Sequence, residues 1–155
     1  DYLKQSTQKL PLLIADLKGD VIDQILEEEN IREIKSYIHA PGYIANTDLA
    51  ALYCGAFAFL YPSLRESFGI PMLEAMACGT PIIAGNTSAM PEIAGEGALL
   101  ADPFNSNDIT EKILQLENDQ TLYQQQVEYG IQRSQLFSWR NTAESLLKIY
   151  KEFAK

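Results

Sequence analysis

The sequence predicts an α/β fold: a Rossmann-like, doubly wound parallel sheet of about five strands, with helices on both faces and a helical C-terminal region. Three observations predict it. Short apolar runs alternate with stretches of helical periodicity, the mark of β-α-β units and parallel pairing. The runs are apolar at successive positions, not alternate ones, so the sheet is covered on both sides. From residue 105 onward the pattern is helical throughout. The chain has 155 residues, the length of one domain. Residues 1–155 are read as a single domain, able to bury a core without disulfides or metals.

The elements follow in order. Leu12-Leu13-Ile14-Ala15, after Pro11, is the first strand run. From Asp20, the positions Val21, Ile22, Ile25 and Leu26 recur at helical spacing, and Glu27-Glu28-Glu29 is a solvated helix end. Residues 35–40 read as a second strand, stopped by Pro41-Gly42. Asn46 or Thr47 caps a short helix that Gly55 ends. Residues 56–61 form a third strand. Gly69 then opens a helix with Pro71 in its first turn, where a missing N–H costs nothing. Residues 81–84 and 98–100 are the fourth and fifth strands, with a short helix from Pro91 between them. Three helices complete the chain, over about 105–116, about 122–136 and after Ser138, which caps the last.

Charge excludes several classes. Twelve Lys and Arg against 21 Asp and Glu leave a net charge of −9. Phosphate-backbone binding needs a basic footprint that is absent here, so nucleic acid is not a partner. No apolar run approaches the ~18 residues of a membrane span, and no transmembrane segment is expected. Cys54 and Cys78 form neither a disulfide framework nor a metal-ligand spacing. They read as two buried free thiols of a reducing compartment, which points to the cytoplasm. His39 lies in a strand and reads as structural, and Met72 and Met76 read as core.

In a doubly wound sheet, ligands sit at the carboxyl ends of the strands. That rule singles out the loops at 41–46, 62–70 and 85–91. The second holds the most chemistry. Glu66 lies between strand and helix, and Ser67, Phe68 and Gly69 approach a helix N-terminus, where free N–H groups and the dipole favour anions. Gly69 permits a backbone geometry closed to other residues. Glu74 falls in the first turns of that helix and can point to the same pocket. Two carboxylates flanking an anion site suit a ligand with phosphates and vicinal hydroxyls.

Residues 61–81 read Tyr-Pro-Ser-Leu-Arg-Glu-Ser-Phe-Gly-Ile-Pro-Met-Leu-Glu-Ala-Met-Ala-Cys-Gly-Thr-Pro. This stretch resembles the retaining glycosyltransferases of family 4, the group 1 glycosyl transferases, whose hallmark is Glu, seven residues, Glu within such a string. Residues 62–84 follow the pattern almost throughout. Gly42-Tyr43-Ile44, Leu49-Ala50-Ala51-Leu52-Tyr53, Pro91-Glu92-Ile93, Leu99-Leu100-Ala101-Asp102-Pro103 and Phe137-Ser138-Trp139 sit in family order. The resemblance implies the donor-binding, C-terminal part of a GT-B enzyme. Such an enzyme transfers a hexose from a nucleotide-diphosphate sugar with retention, without metal or cofactor. By position, Glu66 would be the catalytic or donor-sugar residue, and Glu74 would take the ribose diol. The backbone of Ser67, Phe68, Gly69 and Ile70 would meet sugar and diphosphate, and that near Tyr43 and Ile44 the base.

The same resemblance implies what lies outside the chain. The family's domain opens with a strand and a Gly-rich loop that supplies an Arg and a Lys to the diphosphate, and residue 1 aligns after them. An N-terminal acceptor domain is then a missing partner. The incomplete sheet would leave a poorly complemented edge or favour an oligomer. The full-length protein would work in the cytoplasm or at the inner membrane face. Arg65 reads as a solvated neighbour. Other readings stay open: a nucleotide-sugar epimerase or phosphorylase of the same fold, or a non-catalytic nucleotide-sugar-binding module. A phospho-acceptor domain has only Asp16 as a candidate, without supporting pattern.

Overall fold

The computed structural model describes residues 1–154. It is a mixed α/β structure with parallel strands, in two compact units: Asp1–Leu52, and the chain from Tyr53 onward.

In the first unit, a short helix α1 (Tyr2–Gln5) precedes strand β1 (Leu12–Ala15), helix α2 (Gly19–Glu28), a 3-10 helix (Arg32–Tyr37), strand β2 (Ile38–Gly42) and most of helix α3 (Asn46–Gly55). β1 pairs in parallel with β2, Leu12 opposite Ile38 and Leu13 opposite His39. α2 packs on β2 and buries Ile22 and Leu26, the inward positions of its helical stripe.

Two expectations are corrected here. The stretch 35–40 is not all strand, since residues 32–37 make a 3-10 helix. Local backbone bonds close its turns, from Ile34 N–H to the Ile31 carbonyl and from Ile38 N–H to that of Lys35, and an exposed Lys35–Asp23 ion pair at 2.6 Å joins it to α2. Pro41-Gly42 does not stop the strand but belongs to it. β2 has a strand neighbour on one side only, the edge setting in which proline is tolerated.

The second unit holds β3 (Phe59–Tyr61), α4 (Ile70–Ala77), β4 (Ile82–Gly85), α5 (Met90–Ala94), a 3-10 turn (Gly95–Gly97), β5 (Leu99–Ala101), α6 (Ser106–Asn118), α7 (Gln120–Gln135) and α8 (Trp139–Phe153). The strands pair in parallel in the order β3-β4-β5, with Phe59 opposite Ile82 and Ile83 opposite Leu99. The five strands thus form two ladders, not one continuous ladder.

β4 is the centre of this unit, and all four of its residues are buried. Ile83 packs with Leu116 and Ala101, beneath Ile109 and Ile113 of α6. Successive strand residues face opposite ways, so Ile82 and Ala84 look to the other face. There α4 and α5 supply Met72, Met76 and Met90, all fully buried. The third strand is shorter than expected. Phe57 and Ala58 leave the ladder and pack on the Ile83 cluster, and the Phe57 carbonyl accepts the Tyr123 hydroxyl at 3.1 Å.

Caps match their residues. Asn105 accepts from the N–H groups of Asn107 and Asp108, Asp119 from Leu122, and Ser138 from Asn141. Each such cap is worth about 1 kcal/mol. The thiols correct another expectation: Cys54 is exposed and Cys78 half-buried. Cys54 sits in the last turn of α3, where its side chain reaches solvent. None of the residues of α8 is buried.

Candidate functional site

The hallmark loop runs from β3 to α4, at the carboxyl end of β3. Gly69 sits immediately before α4 with φ +93°, a left-handed conformation that glycine adopts at no steric cost. The chain therefore turns sharply into the helix. No side chain of the described residues caps α4 at its start, and Pro71 occupies its first turn. The N-terminal amides of the helix are thus left to face the loop.

Glu66 is half-buried in this loop. The Tyr61 hydroxyl donates to its Oε1 at 2.7 Å. Burial, and then the Glu66 carboxylate beside it, push the Tyr61 hydroxyl up to about 12, so it stays a donor at any ordinary pH. Glu74 lies on the exposed side of α4, and its charge is felt at the Tyr53 hydroxyl. That hydroxyl is raised as well, by burial first and by the Glu74 charge second. Phe59 links the two tyrosines: its ring meets Tyr53 edge-on at 5.2 Å and stacks on Tyr61 at 5.5 Å. The two hallmark glutamates therefore stand near the ends of one aromatic row, and the phenol of Tyr61 holds Glu66.

The loop at 85–91 fastens the hallmark loop from the side. The Thr87 hydroxyl donates to the carbonyls of Leu64 at 3.1 Å and Ser63 at 3.3 Å. Ser88 Oγ donates to the Glu66 carbonyl at 2.6 Å and accepts the Glu66 N–H at 3.2 Å. Gly85 lets the backbones approach: a Cβ there would lie 2.7 Å from the Ser63 carbonyl.

Of the other residues singled out by sequence, Ser67 and Ile70 are exposed beside Gly69. Phe68 rests edge-on against Phe137 at 5.7 Å. Phe137 in turn lies under the Arg133 guanidinium at 5.0 Å, and Arg133 donates to the carbonyls of Glu92 and Ile93. Tyr43 and Ile44 belong to the first unit. They follow Gly42, whose φ is +82°, and the Tyr43 side chain is 79% exposed. His39 is exposed on β2. Among the described residues, no cluster of His, Cys, Asp and Glu is arranged to hold a metal ion.

Sequence reasoning missed Tyr53, Tyr61, Thr87 and Ser88. Thr87 and Ser88 had a signal, two hydroxyls in a loop already marked as a ligand edge. The tyrosines had none, because each looks like one more apolar strand or helix residue.

Comparison with known proteins settles the family. The family described as "Glycosyl transferases group 1" matches residues 1–133. The chain belongs to the group 1 glycosyl transferases. It is 35% identical over 150 residues to the O-antigen chain mannosyltransferase B of Escherichia coli, a match covering 95% of this chain and 39% of that one. The chain thus spans about two fifths of that relative's length. Among solved structures it is similar to the C-terminal domain of a group 1 family glycosyl transferase from Francisella tularensis, with 26% identity and a TM-score of 0.71, covering 87% of this chain and 72% of that one. It also shares the fold of an Anabaena protein crystallised with UDP-glucose, with 19% identity and a TM-score of 0.82, covering 97% of this chain and 43% of that one. No helix among the described residues is long and apolar enough to cross a membrane.

Proposed function

We propose that residues 1–155 form the donor-binding part of a glycosyltransferase that moves a hexose from a nucleotide-diphosphate sugar to an acceptor with retention of configuration. The observation that carries the reading is the phenol-anchored carboxylate of Glu66 and, eight residues on, the exposed carboxylate of Glu74, flanking a left-handed glycine at an uncapped helix start. A carboxylate held in place accepts two hydroxyls of a sugar or a ribose without being ordered at the moment of binding. In this reading Glu66 takes the donor sugar and Glu74 the ribose diol. The backbone of Ser67, Phe68, Gly69 and Ile70 meets the sugar and the diphosphate, where the helix start favours negative charge. For Tyr43 and Ile44, a role against the base rests on the family pattern alone.

The chemistry is a same-face displacement. The bond from the anomeric carbon to the leaving phosphate breaks, the bond to the acceptor oxygen forms, and the acceptor's proton passes to the leaving phosphate oxygen. No metal or cofactor takes part in this scheme. The protein's share is orientation and electrostatics. The E. coli relative's name makes mannose the first hexose to test.

The test is calorimetric titration of the full-length protein with UDP-, GDP- and ADP-hexoses, with and without a chelator. Saturable binding of one nucleotide sugar, weakened at least about tenfold by Glu74→Ala, is expected from the loss of hydrogen bonds to a charged acceptor. Absence of binding to all three, or equal binding by Glu74→Ala, overturns the reading.

A further inference from the structure

We propose that Ser88 and Tyr61 are the positioning residues of Glu66, Ser88 fixing its backbone and Tyr61 its carboxylate. The inference rests on the donor-site reading of Glu66 and deepens it. Glu66 lies in a connecting loop, where a residue keeps conformational freedom unless something removes it. Two independent contacts do so here. The Ser88 hydroxyl spends both its capacities on one residue, donating to the Glu66 carbonyl at 2.6 Å and accepting its N–H at 3.2 Å. It thereby takes the place of a strand partner for a peptide that belongs to no strand. Tyr61, the last residue of β3, donates to Oε1 at 2.7 Å from a rigid element. Backbone and carboxylate are thus fixed from different elements, the loop after β4 and the end of β3.

Ser88 itself is strained. Its φ is +58°, a region uncommon for residues other than glycine, asparagine and aspartate. Such outliers persist where surrounding contacts over-determine them, and they concentrate at functional sites. The left-handed turn is what aims the hydroxyl back across at Glu66. The geometry makes the strain and the two hydrogen bonds parts of one device.

The experiment has a structural arm and a functional arm, both on the full-length protein with melting recorded for each variant. In hydrogen exchange, the Glu66 amide should exchange at least about tenfold faster in Ser88→Ala and Ser88→Gly, which lose its acceptor, and at the wild-type rate in Tyr61→Phe. Gly relieves the strain and Ala keeps it, so equal acceleration in both assigns the effect to the hydroxyl. Wild-type exchange in Ser88→Ala overturns the Ser88 half. In donor-consumption kinetics, Tyr61→Phe and Ser88→Ala should each lower kcat/KM about tenfold, while neither changes it by as much as twofold on a Glu66→Ala background, which leaves no side chain to position. Equal losses on both backgrounds mean that these residues act elsewhere and overturn the inference. If Glu66→Ala alone is fully active, the donor-site reading fails instead.

Discussion

Two strands of nearly the same composition meet opposite fates in this molecule. Leu12-Leu13-Ile14-Ala15 forms β1, with Leu12 40% and Leu13 42% exposed. Ile82-Ile83-Ala84-Gly85 forms β4, with Ile82 at 0% and Ile83 at 1%. The difference lies in their neighbours. β4 has a strand on each side and helices α4, α5 and α6 packed on it. Among the described residues β1 has one strand beside it, and α2 packs on β2. An apolar run states that a strand can be buried; the elements placed around it decide whether it is. The candidate site is built on the buried strand's unit, so its loops spring from a rigid base.

The sharpest way to break this contrast is to truncate one strand at a time. Ile83→Ala should cost about 2–5 kcal/mol in urea unfolding, since the site is close-packed and cannot collapse. Gly85→Ala should cost about 1–3 kcal/mol by overpacking, because the new Cβ meets the Ser63 carbonyl and must push the hallmark loop away. Leu13→Ala should cost less than about 1 kcal/mol, the usual outcome at a half-exposed position. A loss at Leu13 equal to that at Ile83 would erase the distinction between the strands.

A smaller effect concerns pH. The Tyr61 value in the folded protein is raised above the ordinary 10.0 to about 12. Its contribution to stability is therefore complete below pH 10 and is lost as pH rises through about 12. Ultraviolet titration should show a tyrosinate that forms only near pH 12, absent from Tyr61→Phe. Full ionisation of every tyrosine by pH 11 would contradict the Tyr61–Glu66 hydrogen bond.

Much of this was legible from residue order. The first strand run, Pro71 at a helix start, Gly69 before it and the cap Ser138 are local signals, and each appears where the sequence placed it. Residues 35–37 misled because they run without a break into the strand residues that follow, yet local backbone bonds wind them into the 3-10 helix 32–37. The glutamates could be named from the family string. Their supports could not, because the Tyr61–Glu66 and Ser88–Glu66 contacts span five and 22 residues of sequence and depend on how two loops meet. The exposure of Cys54 was hidden for a similar reason: its helix face is set by what packs around α3.

Arg133 carries a mechanical consequence. Its guanidinium is bolted to two carbonyls at the end of α5 and lies over Phe137, against which Phe68 of the hallmark loop leans. The compliance of that loop is therefore set in part by a helix residue 65 positions further along the chain. A screen for altered activity confined to the neighbourhood of the glutamates would pass over it, although slackening this strut loosens the ring beside Gly69 without touching either glutamate.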